Sequence, residues 1–280
     1  MNQPDATVEI KSRIETTFNT VSDAYDSPEM RYFPFSADYM INLAKPKAGE
    51  KVLDIAAGTG MVAIPAAQAV RPDGRVQAID LSEGMLNKAE KNISNHALTN
   101  IDLHVMDAEN LEFRSNYFDL ITCGFGVFFL PDPLSAVKNW ARVLKPGGRI
   151  IFSTFNISAF MPMAKWFKQC YEETGNPYPQ TAWQQFSDNE SCLSLLDDEI
   201  YENKQVTHKQ HGIHLKDEHE WWHIIQSSGF RGILASLNDI QQTELRSKHL
   251  KQLAELKTEE GIWLDVEVIY TQATRCLLYT

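Results

Sequence analysis

No run of apolar residues in this chain approaches the roughly 20 that a helix needs to cross a membrane; the longest candidate, Leu120 to Leu130, is short and broken by Gly124 and Gly126. A membrane span is therefore not expected. Cysteine is scarce and scattered. Cys123, Cys170, Cys192 and Cys276 form no Cys-x-x-Cys pair, which indicates neither a zinc knuckle nor a disulfide framework and fits free thiols in a reducing cytosol. Positive charge is also short. With 26 Lys and Arg against 37 Asp and Glu, the formal net charge of −11 argues against a broad nucleic-acid surface, because phosphate binding needs clustered cations to displace counterions. A small-molecule partner is expected instead, and the sequence leaves room for a homodimer. Repeats and low-complexity tracts are missing. The opening Met-Asn-Gln-Pro-Asp lacks the basic start and apolar core of a secretory signal, which points to a cytoplasmic protein.

What is present is an ordinary globular composition, 43% hydrophobic and 22% charged over 280 residues, a length that suits one α/β domain carrying a lid. Two amphipathic helices are predicted first, at 7–24 and 35–45, with Ile10, Ile14, Phe18 and Val21 at helical spacing. Strands at 51–56, 75–80, 101–106, 118–123 and 148–155 then alternate with helices at 60–70, 82–96 and 132–144, a pattern that predicts a parallel sheet covered on both faces. The helix at 82–96 has Ser82 as its N-cap and Met85, Leu86, Ala89 and Ile93 on one face. Beyond Phe155 the pattern changes: a weak strand at 201–215, helices over 217–258 and a final strand at 263–275. Ser228-Gly229-Phe230 can also end a helix ahead of a strand at 231–236, although a helix is preferred there. The division expected is an N-terminal helical lid (1–45), a core (46–155), and lid helices with the last two strands (156–280).

The chemistry gathers at the strand ends, where doubly wound sheets hold their ligands. After the first strand comes Ala56-Ala57-Gly58-Thr59-Gly60, a turn whose glycines let a nucleoside-bearing ligand approach the main chain while the alanines keep its floor low. Asp80 ends the second strand and is placed to accept hydrogen bonds from two ribose hydroxyls. Asp107 after the third can take an exocyclic amine, with Leu81, Met85 and Ala108 sandwiching a flat base. Asp54, within the first strand, can orient a cationic group directly or through water. Gly124 and Phe125 follow the fourth strand.

The stretch Val52-Leu53-Asp54-Ile55-Ala56-Ala57-Gly58-Thr59-Gly60, with Asp80, Asp107-Ala108 and Arg142-Val143-Leu144-Lys145-Pro146-Gly147-Gly148-Arg149, resembles a class I S-adenosylmethionine-dependent methyltransferase, nearest to the branch of ubiquinone and menaquinone C-methyltransferases. The resemblance covers about residues 45–155. It implies a Rossmann-like α/β fold whose seven-stranded sheet ends in an antiparallel strand, with S-adenosyl-L-methionine across the first and fourth strand ends. Carried over by position, Gly58 and Gly60 flank the methionine moiety, Asp80 the ribose, Asp107 and Ala108 the adenine, while Phe125 and its neighbours border the reactive methyl. The stretch Phe18 to Asp26, with Tyr25, is similar to a segment that closes over the methionine part. The helical insertion before the final strand departs from the quinone branch, so the acceptor does not carry over.

Other readings compete for the same residues. A glycine turn also serves nicotinamide dehydrogenases, but Asp54, the Gly-x-Gly spacing without a third glycine and Asp107-Ala108 are not features they need together. His219-Glu220-Trp221-Trp222-His223 matches the His-Glu-x-x-His zinc-hydrolase signature, although five of the eight histidines crowd into 208–223 and no third ligand stands at a compelling spacing. The plainer reading is a lid helix with Trp221, Trp222 and Ile225 inward and no metal. His208, His211 and His214 read as solvated, with one open to a general-base role. The cluster Phe125, Phe128, Phe129, Phe160, Trp166 and Phe167 reads as packing before a substrate cage. No catalytic side chain is identifiable, which suits in-line methyl transfer dominated by positioning and also leaves open a non-catalytic module that only binds the cofactor. The aromatic and methionine content of the lid favours a partly apolar acceptor, aromatic or lipid-like.

Overall fold

In a computed structural model, residues 6–179 and 181–277 are described. The opening five residues, on which the expectation about a signal segment rests, lie outside them, as do Gln180 and the last three. Two helices lead: α1 (Ala6–Val21) and α2 (Tyr32–Ala44). Then follow β1 (Lys51–Ile55), α3 (Ala63–Ala69), β2 (Arg75–Asp80), α4 (Glu83–Asn95), β3 (Ile101–Val105), β4 (Phe118–Gly124), α5 (Pro133–Val143) and β5 (Leu144–Phe155). The remainder comprises α6 (Met163–Glu172), α7 (Asn189–Ser194), β6 (Tyr201–Gln210), β7 (Ile213–Leu215), α8 (Glu218–Ser227), α9 (Arg231–Leu234), α10 (Asp239–Ala254), β8 (Ile262–Leu264) and β9 (Glu267–Arg275).

Seven strands form one sheet in the order β3-β2-β1-β4-β5-β9-β6, parallel except for β9, which runs antiparallel between β5 and β6. β1 pairs with β2 on one side and β4 on the other, so the strand order reverses at the carboxyl end of β1, where a crevice must open. Val52, Leu53, Asp54 and Ile55 are all buried, as expected of a central strand covered on both faces. Ser82 caps α4 by accepting from the Met85 amide at 3.1 Å, and the face of Met85, Leu86, Ala89 and Ile93 is buried as its spacing requires. Asp132 caps α5 through the Ser135 amide at 3.0 Å, with Pro133 in the first turn, and Trp140 is buried below it. Buried residues from the sheet, its flanking helices and the C-terminal helices join in one apolar core.

Two expected strands are broken. Both 201–215 and 263–275 divide, β6 and β9 joining the large sheet while β7 and β8 form a separate antiparallel pair. The reason is a crossing of the two segments. A Cβ on Gly212 would lie 2.3 Å from Trp263 Cζ2, so only glycine lets the chains pass. The Gln210 side chain accepts from the Gly212 and Val266 amides, at 2.7 and 2.9 Å, in place of ladder partners. Ser228-Gly229-Phe230 leads into helix α9, as preferred. Trp221, Trp222 and Ile225 of α8 are buried, giving the inward face expected of that helix.

Candidate functional site

The glycine turn is held open by left-handed backbone. Ala56 has φ 53°, Gly58 56° and Gly60 87°, and the Ala57 amide ties the turn to Ile79 O on β2 at 2.9 Å. A Cβ built on Gly58 meets nothing within 4 Å, so the turn offers bare main chain to an open space. Behind it the packing is tight. A Cβ on Gly126 would fall 2.5 Å from Ala56 Cβ and 2.9 Å from Cys123 Sγ, which fixes the loop after β4 against the floor of the turn.

Two adjoining cavities open there and share Tyr25, Ala56, Gly58, Gly124 and Phe125. The larger, about 740 Å³, lies over the ends of β2 and β3 and is bounded by Asp80, Leu81, Met85, Asp107 and Ala108. The smaller, about 460 Å³, lies beside β1 and is bounded by Asp54, Thr59, Met61, Ser36 and Ser153. Every residue expected of the cofactor site from the sequence lines one of them except Gly60, whose Cβ direction faces Ala89 and Ile64 at 3.5 and 3.6 Å. Gly60 shapes the turn against α4 rather than the cavity wall.

Each carboxylate has a distinct setting. Asp80 accepts from the Gly58 amide through Oδ2 and the Ser82 amide through Oδ1, both at 2.8 Å, so it fastens the turn to the start of α4. Burial raises its pKa above the ordinary carboxylate range, and the backbone donors temper that rise. Asp54 is fully buried. Its Oδ1 accepts from Thr122 Oγ1 at 2.7 Å, while Oδ2 has no hydrogen-bond partner. Burial pushes its pKa up to about 7, the Thr122 donor opposes, and the nearby Asp80 charge adds to the rise. Asp54 thus brings a buried carboxylate oxygen without a donor to the wall of the smaller cavity, where it can accept from a ligand. Asp107 Oδ2 accepts from Lys11 Nζ at 2.7 Å, and the same ammonium reaches Glu109. Burial would raise the Asp107 carboxyl, but Lys11 and the Glu109 and Asn110 donors hold it below the usual range.

Lys11 and Met106 are walls that the sequence does not single out, whereas Ile14, Phe18 and Phe129 stand in it as a helix face and part of the aromatic cluster. Lys11, Ile14 and Phe18 of α1 line the larger cavity with Met106 and Phe129. The signal lay in the spacing, since residues 11, 14 and 18 share one helical face. Asn19 stitches that helix to α4 by accepting from Ser82 Oγ at 2.7 Å and the Gly84 amide at 2.9 Å. Asp26 accepts from Thr59 Oγ1 at 2.6 Å and Asn92 Nδ2 at 2.7 Å, which draws neighbouring Tyr25 over the turn. The Tyr25 ring stacks on Phe33 at 5.3 Å, and Phe125, itself left-handed at φ 54°, stacks on Phe155 at 4.4 Å. Within the expected aromatic cluster, Phe128, Phe160 and Phe167 are buried packing, Trp166 lies against the core, and Phe125 and Phe129 border the cavities.

The histidines separate. His219 is exposed beside Glu218 and His223 Nδ1 stands 3.2 Å from Glu29 Oε2, while Glu220 accepts from the Lys216 amide at 2.8 Å. The His-Glu-x-x-His residues thus engage unrelated partners, and among the described residues no three His, Cys, Asp or Glu are grouped to hold a metal. His208 contacts Asn189 and Glu267, and His214 packs on Trp263. His211 departs from its solvated reading: it is half-buried, with Nε2 2.7 Å from Tyr270 Oη.

Compared with known proteins, the chain matches the sequence model of the ubiE/COQ5 methyltransferase family over residues 6–182. It is 37% identical over 144 residues to the aklanonic acid methyltransferase DauC of Streptomyces sp. (strain C5), covering 51% of this chain and 66% of that protein. It is 34% identical over 165 residues to a demethylmenaquinone methyltransferase of Staphylococcus epidermidis, covering 58% of this chain and 66% of the relative. The match therefore spans just under two thirds of these relatives' length. Among solved structures, the YcgJ protein of Bacillus subtilis superimposes with a TM-score of 0.60 at 20% identity, over 86% of this chain and 98% of that one. The Haemonchus contortus phosphoethanolamine N-methyltransferase 2, solved with S-adenosylhomocysteine, gives 0.54 at 18% identity, over 92% of this chain and 60% of its own. Both are likenesses of fold. No helix among the described residues is long and apolar enough to cross a membrane.

Proposed function

Because the chain belongs to the ubiE/COQ5 methyltransferase family, we propose that it uses S-adenosyl-L-methionine to methylate a small molecule. The observation that carries this reading is the row of carboxylates at successive strand ends: Asp54 with its free oxygen, Asp80 on the glycine turn and Asp107 beside Ala108, all facing the two joined cavities. Asp80 would hold the ribose hydroxyls, and Leu81, Met85 and Ala108 the adenine. Asp54, Ala56, Gly58 and Gly124 would hold the methionine portion. The bound cofactor supplies a methyl group on a cationic sulfur, already joined to a good leaving group.

The chain's own residues then have to position and to exclude water. Tyr25 and Phe18, carried by the N-terminal segment, cover the cavities from above, while Lys11 fastens α1 to Asp107 and Glu109 across the rim. Burying a reacting pair in such a space replaces solvent by fixed groups, and correct orientation alone is worth effective molarities of about 10⁵–10⁸ M. The apolar walls at Phe33, Met40, Phe125 and Phe129 suit a flat, partly apolar acceptor. The two relatives are named for aklanonic acid and demethylmenaquinone, both small molecules, which supports a small-molecule acceptor. The division into a covering N-terminal segment, a core at 46–155 and a C-terminal lid belongs to the same proposal. Incubation with labelled S-adenosylmethionine and a panel of hydroxylated aromatic compounds, read by mass spectrometry, tests it. A methylated product that Asp80→Ala lowers at least about tenfold supports the reading, and no product from any acceptor counts against it.

A further inference from the structure

Methylating a hydroxyl or an acidic carbon leaves a proton to be removed, and the smaller cavity has a path for one. Ser36 of α2 lines that cavity and is 1% exposed. Its Oγ lies 2.6 Å from Tyr270 Oη on β9, which lies in turn 2.7 Å from His211 Nε2 between β6 and β7. Tyr270 is buried as deeply as Ser36, whereas His211 is half-buried, so the three groups run from the cavity toward the surface. Register fixes the path. Tyr270 stands opposite Ser153 across the β5–β9 ladder, and Ser153 lines the same cavity. Apart from these two side chains, Tyr270 Oη has the Ser36 carbonyl at 3.2 Å.

We propose that Ser36, Tyr270 and His211 form a proton relay that takes up the hydroxyl proton of the acceptor; the inference rests on the methyltransferase reading above. The acceptor's O–H bond breaks and its proton passes to Ser36 Oγ. The Ser36 hydroxyl proton passes to Tyr270 Oη, and the Tyr270 phenolic proton to His211 Nε2, leaving an imidazolium that loses its Nδ1 proton to water. The electron pair left on the acceptor oxygen is the nucleophile. Ser36 is the member that would touch the acceptor; Tyr270 and His211 act through it.

The groups facing the His211 ring are Tyr39 of α2, with centroids 5.8 Å apart, Tyr270 of β9, and the Lys209 ammonium of β6, which stands 5.7 Å over the Tyr39 ring. Burial and the Lys209 charge lower the His211 pKa, so its ring is neutral and free to accept near neutral pH. A phenolic hydroxyl, with an ordinary pKa of about 10, is within reach of such a base when the resulting ion pair is held in one site. Phe33 and Phe125 give the same cavity an apolar wall.

The test uses 4-nitrophenol, whose yellow anion reports its own ionisation, titrated with pH in the presence of saturating S-adenosylhomocysteine. The native protein is expected to bind the phenol and to ionise it at least about one pH unit below the free compound. His211→Gln and Tyr270→Phe should abolish that shift while keeping S-adenosylhomocysteine affinity, measured by calorimetry, within about twofold. Should Tyr270→Phe fail to fold, His211→Gln at its half-buried position decides the matter alone. No bound nitrophenol, or equal ionisation in native protein and His211→Gln, overturns the relay while leaving the cofactor reading intact. Failure of the native protein to bind S-adenosylhomocysteine overturns that reading itself.

Discussion

Replacing Asp54 by asparagine should strengthen the empty fold and weaken the loaded one. The substitution keeps an oxygen for the Thr122 hydroxyl, 2.7 Å away, and removes the charge. In the folded chain burial holds this carboxyl near 7 instead of its ordinary 3.8. Each pKa unit is worth about 1.4 kcal/mol, so above neutral pH the buried anion costs the fold roughly 4 kcal/mol relative to the unfolded chain. The folded state binds the proton more tightly. Stability is therefore complete below pH about 4, falls as pH rises toward about 7, and stays low beyond. Asp54→Asn has no such slope, so in urea denaturation it should be more stable than the parent at pH about 8, by up to roughly 4 kcal/mol, and equal to it at pH about 4. Ligand binding runs the other way. If Asp54 meets the ammonium group of S-adenosylhomocysteine, the parent's affinity rises through pH about 7 with release of a proton, and the variant loses about 10–100-fold at pH 8, since a charged hydrogen bond is worth about 1.5–3 kcal/mol. Calorimetry in two buffers of different ionisation enthalpy reads both the affinity and the proton. A variant less stable than the parent at pH 8, yet binding the nucleoside equally well, would refute this reasoning.

Three further outcomes are expected. Gly126→Ala places a methyl 2.5 Å from Ala56 Cβ, against backbone-bound neighbours that cannot withdraw; a loss of about 2–3 kcal/mol in chemical denaturation is expected, and an unchanged midpoint would contradict the packing described. Lys11→Met breaks the contacts to Asp107 and Glu109 at a partly exposed site, so its effect on stability should stay below about 1 kcal/mol, while hydrogen exchange over residues 6–21 should quicken. Equal protection in both proteins would show that the latch holds nothing. His249, buried beneath Trp221 and accepting from its Nε1 at 2.8 Å, is held by burial at about 4 against an ordinary 6.5. The unfolded chain takes up a proton that the folded chain refuses, so stability should fall by about 3 kcal/mol as pH drops from 6.5 to 4, a slope that His249→Phe should flatten.

The sheet was legible because its central strands are buried on both faces and therefore spell short apolar runs, each followed by the residue that its carboxyl end presents. Asp54, Gly58, Asp80 and Asp107 could be placed from position alone for that reason. The broken strands were not. Nothing local to Gly212 or Asp265 distinguishes a break from a continuing strand; what imposes it is Trp263 crossing over Gly212, a contact between segments about fifty residues apart. The walls given by α1 were half legible. Ile14 and Phe18 stand in the sequence as an apolar face, but nothing near Lys11 in the chain points to the acidic pair at Asp107 and Glu109 that it meets. His211 departs from its solvated reading for a similar reason, because its partner Tyr270 stands 59 residues further along the chain. Long-range side-chain pairs of this kind leave no periodicity to read.

The most direct measurement of the central claim is a calorimetric titration of the purified protein with S-adenosylhomocysteine, run beside Asp80→Ala. One site per chain is expected, with a Kd of about 1–100 μM, weakened at least about tenfold when the carboxylate that joins the glycine turn to α4 is removed. No heat of binding to the native protein, or the same affinity in both, would contradict it.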